Sequence, residues 1–207
     1  MNTISIVNPD WFSTASEQDR ILFYRVCEFE ELFLDMTFKS DDLVKKAIMC
    51  KSFIAENDKW ISDTVPIPDE LECFDYCWFD YKVKSFGNDN EGSFNCKTQT
   101  LSVDENSLNC NSTILHEMIH LHEYVVNEQP LFFHDTLFWC LYKSLRERIP
   151  NLDKLIDDHG HIFNETNLLN KGGLHDTLFL LKSYDLDLKM GYKLGTVFGY
   201  GYDLTKE

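Results

Sequence analysis

The sequence predicts an α+β fold. N-terminal helices lead into a small antiparallel sheet, the sheet packs on a central helix, and the C-terminal segment is helical or irregular. Three observations predict it. Apolar residues recur at helical spacing over 14–36, 40–54, 112–126 and 134–148. Between the second and third of these stretches lie two runs rich in β-forming residues, 73–83 and 93–103, separated by a Gly/Asn turn. The third helical stretch, "STILHEMIHLHEYVV" from Ser112 to Val126, carries three histidines and two glutamates on an otherwise apolar helix.

Each element has a local reason. In "STASEQDRILFYRVCEFEELFLDM", Thr14 and Glu17 make a capping box, and Leu22, Val26, Phe29, Phe33 and Met36 follow as one stripe. Ser40 caps a second helix with Leu43, Val44, Ala47, Ile48 and Ile54 on one side. Pro66 and Pro68 mark "SDTVPIPDE" as a loop. "CFDYCWFDYKV" is a strand over Cys73 to Val83, "FGNDNEG" a turn, and Ser93 to Val103 the returning strand, a candidate sheet edge. Asn111, Ser112 or Thr113 can cap the central helix. A further helix covers His134 to Arg148 with Leu137, Phe138, Leu141 and Leu145 inward, and Pro150 stops it. "KGGLHDTLFLLKSY" reads as a turn and a short helix, and "GYKLGTVFGYGY" as strand or irregular chain.

Composition narrows the function classes. With 207 residues, 43% hydrophobic, one domain spanning 1–207 can bury a sizeable core. A formal charge of −16 disfavours direct binding to nucleic acid or to an anionic membrane, because both need clustered Lys and Arg. No apolar run is long enough to span a bilayer. The cysteines number seven, and the N-terminus shows no secretory pattern. Reduced thiols in a cytoplasmic setting are therefore the expectation. Cys73 and Cys77 have no partner pair at zinc-ribbon spacing and read as strand residues.

His116-Glu117-Met118-Ile119-His120 fits H-E-x-x-H. At about 100° per residue, His116 and His120 share a helix face and can bind one zinc ion, while Glu117 stands about 100° away. Zinc lowers the pKa of a bound water toward ~7, and Glu117 can take its proton as general base. A catalytic zinc needs a third protein ligand. The extended spacing H-E-x-x-H-x-x-G-x-x-H would require glycine and histidine where Glu123 and Val126 stand, so it is excluded. Outside the helix, Glu147 and Asp135 are the carboxylate options. His134, which opens the next helix, is the leading candidate. His175 is the alternative, because "HDTLF" occurs at both 134–138 and 175–179. Glu123 shares the histidine face and reads either as a carboxylate orienting an imidazole or as a solvated helix end. His122 points away. His159 and His161 read as a polar turn. Tyr124 and Tyr142 are packing residues that could also donate to an oxyanion.

"STILHEMIH", followed by "HDTLF" and a helix ending in "RERI", resembles the SprT-like zinc metallopeptidases. The resemblance covers roughly Cys73 to Pro150, leaving 151–207 as a C-terminal extension. It implies a zincin-like fold, His116, His120 and His134 as zinc ligands, Glu117 as general base, and Phe138 as the aromatic under the site. Asp135 stands where the family has glycine. No downstream zinc ribbon or basic tail follows, so the family's repair of DNA–protein crosslinks is not carried over. The expectation is zinc-dependent hydrolysis of peptide bonds in an extended protein or peptide substrate. The alternatives are a catalytically silent zinc-binding interaction module, or a protease effector acting in another cell.

Overall fold

The computed structural model describes residues 9–36, 79–87, 90–127, 131–162 and 175–199, with the side chains of 9, 34–36, 125–127, 131–136 and 158–162 outside the described set. The helix expected over 40–54, the loop at 62–70 and the first part of the strand expected from Cys73 lie outside these residues. What is described is a mostly helical α+β fold, with seven α-helices and one three-stranded sheet.

Two helices open the described chain, α1 (Pro9–Thr14) and α2 (Glu17–Phe29), and α2 continues as a 3-10 turn over Glu30–Met36. The capping box is not Thr14/Glu17 but Ser16/Asp19. Thr14 ends α1, and the Ser16 hydroxyl accepts from Asp19 N–H at 3.1 Å while Asp19 answers Ser16 N–H. Asp19 also accepts from Val83 N–H at 2.7 Å, so the cap ties α2 to the sheet. The expected stripe is inward: Leu22, Val26, Phe29 and Phe33 are buried.

Strands β1 (Asp80–Val83), β2 (Gly92–Asn95) and β3 (Thr100–Val103) lie in the order β1-β3-β2. The sheet is mixed, not antiparallel: β1 runs parallel to β3, and β2 antiparallel to it. The expected strand 93–103 is in fact a hairpin of its own. Asn95 folds back to accept from Lys97 and Thr98 N–H, and Gln99 takes φ 50. An Asx turn of this kind reverses the chain within four residues. β3 is thus central, and of the two strands in the expected 93–103 run only β2 lies at an edge of the described sheet, the other edge being β1. Leu101 and Val103 are fully buried, with Tyr81 across from Leu101.

The central helix is α3 (Asn111–Asn127). Arg25 anchors its start by donating to the Leu108 carbonyl at 2.9 Å and to Asn109 and Asn111. Next come α4 (Leu131–Arg148) and α5 (Leu152–Ile162). Leu137, Phe138, Leu141 and Leu145 face the core as expected.

The C-terminal segment departs most from expectation. α6 (Thr177–Met190) is a long central helix, capped by Asp176 at the start and by Gly191 at φ +69 at the end. Nearly every one of its residues is buried, including Lys182, Asp185 and Asp187. The described part of the Gly/aromatic segment is irregular over 191–195 and then turns at Gly195 (φ 90) into the short α7 (Thr196–Gly199). No described helix is long and apolar enough to cross a membrane.

Candidate metal centre

α3 presents His116 and His120 one turn apart, with ring centroids separated by 5.1 Å. The residue just before the cap of α6 brings His175 to 5.0 Å from each of them. One nitrogen from each ring lies within 4.8 Å of the others. These three side chains can hold a metal ion. His175 Nε2 and His116 Nε2 face each other at 3.0 Å. Two nitrogens on a tetrahedral zinc, each about 2.0–2.1 Å from it, stand about 3.3 Å apart, so the His116–His175 pair matches that ion to within a few tenths of an ångström.

Histidine tautomers are set by the nitrogen that does not face the metal. His116 Nδ1 lies 2.9 Å from the Val197 carbonyl, to which it donates. That leaves Nε2 with a lone pair toward the cluster. The Val197 peptide is itself fixed. Asp187 accepts from Val197 N–H at 3.0 Å and from Gly195 N–H at 2.6 Å. Asp187 is fully buried, and burial raises its pKa to about 7 against the lowering effect of these backbone donors.

Burial also keeps the imidazoles neutral. His116 is 1% exposed, and desolvation pushes its pKa down to about 4. His120 falls to about 3, first through burial, then through the neighbouring His116, His175 and Lys182. His175 is lowered by burial, with Asp176 opposing. A metal therefore meets ligands already deprotonated at neutral pH.

One aromatic ring packs against all three imidazoles. Phe179 lies 4.8 Å from His116, 4.7 Å from His120 and 4.6 Å from His175. The expected ring, Phe138, packs instead with Trp139 and Tyr142 on α4. The second copy of "HDTLF" is thus the one built into the site. His175 supplies a ring nitrogen, Asp176 caps α6 by accepting from Phe179 N–H at 2.9 Å, and Phe179 is the platform.

The first copy has a different backbone. α4 begins at Leu131, so His134 falls inside its first turn rather than ahead of a cap. The His134 side chain lies outside the described set. The local cue was available: Gly172-Gly173 precede the second copy and oppose helix, whereas Leu131-Phe132-Phe133 precede the first and permit it.

Glu117 is buried, at 2% exposed, and lies against β2 at Gly92. The Glu123 side chain is partly buried, at 15% exposed. It pairs with the fully buried Lys182 at 3.5 Å. His122 is buried against Phe33, with ring centroids 5.7 Å apart, away from the cluster as expected. Tyr124 accepts from Gln99 Nε2 at 2.9 Å and packs on Phe79 and Phe94. The Tyr142 hydroxyl donates to Asp153, and its pKa is raised to about 12, mainly by burial. The side chains of His159 and His161 are outside the described set.

Fold and site together define an α+β protein with a partly buried three-histidine cluster on the helix that also carries a buried glutamate. Neither protein families, nor curated proteins, nor solved structures yield a match to this chain.

Proposed function

We propose that this protein is a zinc-dependent, zincin-like peptidase, similar in its site to the SprT-like metallopeptidases, with Glu117 as general base. The observation that carries the reading is the convergence of His116, His120 and His175 within 4.8 Å, on a helix that also holds Glu117. The three histidines would hold zinc and leave the fourth position of a tetrahedral set open. When bound, zinc supplies a Lewis acid that polarises a carbonyl and acidifies a water.

The protein's own residues do the rest. Glu117 accepts the proton of the attacking water at its carboxylate and returns it to the leaving nitrogen. Phe179 and Phe198 exclude water from the histidines, the latter at 5.9 Å from His175. β2 pairs with β3 and with no other strand among the described residues, and Gly92 on β2 lies against Glu117. An extended peptide added to that edge through main-chain hydrogen bonds would run past the base. The charge of −16 favours basic or neutral substrate segments over acidic ones.

Glu117→Gln tests this. It keeps the zinc equivalent and lowers turnover of a denatured protein substrate by about 10²–10⁴-fold, the usual worth of a general base. Wild-type turnover in Glu117→Gln would contradict the role of Glu117. A zinc-loaded wild type with no turnover would favour the silent binding module.

A further inference from the structure

Gly92 opens an edge strand, where glycine is a poor choice: it adds backbone entropy and packs nothing. Its backbone gives no reason for it, because the glycines with positive φ are Gly87, Gly191 and Gly195. The reason lies across from it. A Cβ at position 92 would stand 2.6 Å from Glu117 Oε1, 2.7 Å from Cγ and 2.9 Å from Cδ. All three are inside van der Waals contact, and the Cγ clash cannot be relieved by rotating the carboxylate alone.

Neither partner can back away easily. Glu117 is 2% exposed, so its side chain has no open water to swing into. β2 is fastened along α3 on both sides of the close approach. One turn before Glu117, the Thr113 hydroxyl donates to Glu91 at 2.6 Å. Two turns after it, Tyr124 packs on Phe94 at 5.7 Å. On the far side, β2 is held by its pairing with β3, Gly92 opposite Val103 and Phe94 opposite Leu101. The helix and the strand therefore run together with Glu117 in the one place where the strand carries no side chain.

We propose that Gly92 is a positioning residue for the catalytic carboxylate. The missing side chain is the seat that fixes the Glu117 rotamer, which rests on the reading of Glu117 as general base. Displacing a catalytic group by about 1 Å can cost about 10²-fold in rate. Gly92→Ala lowers kcat by about 10- to 100-fold. It leaves zinc at the wild-type stoichiometry and KM within about twofold, because no histidine moves.

The test pairs kinetics with a double-mutant cycle in thermal stability, using the zinc-loaded full chain. The variants are Gly92→Ala, Glu117→Ala and the double variant. If Glu117 fills the seat, Gly92→Ala lowers Tm in the wild-type background and much less in the Glu117→Ala background. A Gly92→Ala protein that fails to fold while the double variant folds gives the same result. Equal Tm losses in both backgrounds, failure of both variants to fold, or wild-type kcat in Gly92→Ala would overturn the proposal. Absence of turnover in the wild type would count against the peptidase reading, and with it against a catalytic purpose for the seat. The cycle would still report whether Glu117 occupies it.

Discussion

Asp187 acts on His116 through one peptide of backbone. Its carboxylate holds Gly195 and Val197 N–H, and the Val197 carbonyl receives His116 Nδ1. Groups that orient a metal ligand in this way are worth about 10–100-fold in metal affinity. Asp187→Ala should weaken zinc binding by that factor in competition with a chromophoric chelator, and an unchanged Kd would contradict the relay.

The same buried groups set the pH dependence of the metal-free protein. The folded pKa values of His116 and His120, about 4 and about 3, lie below the ordinary 6.5. Below pH 6.5 the unfolded chain takes up protons at both histidines, and the fold does not. Asp187, raised from 3.8 to about 7, works in the opposite sense by holding a proton that the unfolded chain releases. The net is roughly one proton, so stability present above pH 6.5 is lost at about 1.4 kcal/mol per pH unit as pH falls toward 4. Lowered His175 adds in the same direction. Urea titrations of the apoprotein at pH 7.5, 6.5, 5.5 and 4.5 measure the slope. A flat profile would contradict it.

Residues of α3 were legible in the sequence because H-E-x-x-H is a local pattern with a helical meaning. The third histidine was not, because closing the site is a long-range event: His175 lies 59 residues from His116. The duplicated pentapeptide narrowed the choice to two positions. Only the backbone ahead of each copy, glycine pair or helix-permitting apolar run, separates them.

At the scale of elements, α2, α3 and α4 were legible because each keeps one polar face that reveals the period. α6 was legible only in part, as a turn and a short helix, because a helix buried on nearly every side has no solvent face to mark its extent. Its buried charges are matched: Lys182 pairs with Glu123, Asp185 with both Arg148 and Lys189, and Asp187 accepts from the Gly195 and Val197 backbone N–H. Strand order was hidden for another reason. Alternation marks strands, but the Asx turn at Asn95 inserts a hairpin whose second strand pairs back between the other two, and no local pattern encodes that crossover.

The Lys182–Glu123 pair joins α6 to α3 beside the metal centre. Breaking a buried pair by removing one partner costs about 3–5 kcal/mol, whereas replacing both by apolar groups is often neutral. Glu123→Ala should therefore destabilise strongly in urea denaturation, and Glu123→Leu with Lys182→Met should restore most of the loss. A Glu123→Ala protein as stable as wild type would mean that the pair does not hold the two helices together.

At the scale of the whole molecule, the histidine cluster joins the middle of the chain to its C-terminal segment. α3 and α6 meet at His116, His120 and His175, and α7 adds the Val197 carbonyl behind them. The segment expected as an extension thus brings His175, the Phe179 ring and the Val197 carbonyl to the cluster. A metal bound only by the folded chain stabilises it by mass action, about 4 kcal/mol at a thousandfold excess over Kd. Composition and charge were legible directly and limit the partners. They say nothing of which distant segments converge.

The central claim is that His116, His120 and His175 form one metal site. Metal analysis of the wild type beside His116→Ala, His134→Ala and His175→Ala, all purified without chelator, tests it most directly. The account predicts about one zinc per chain in the wild type and in His134→Ala, and loss of zinc in His116→Ala and His175→Ala. Metal-free wild type, or zinc kept by His175→Ala and lost by His134→Ala, would contradict it.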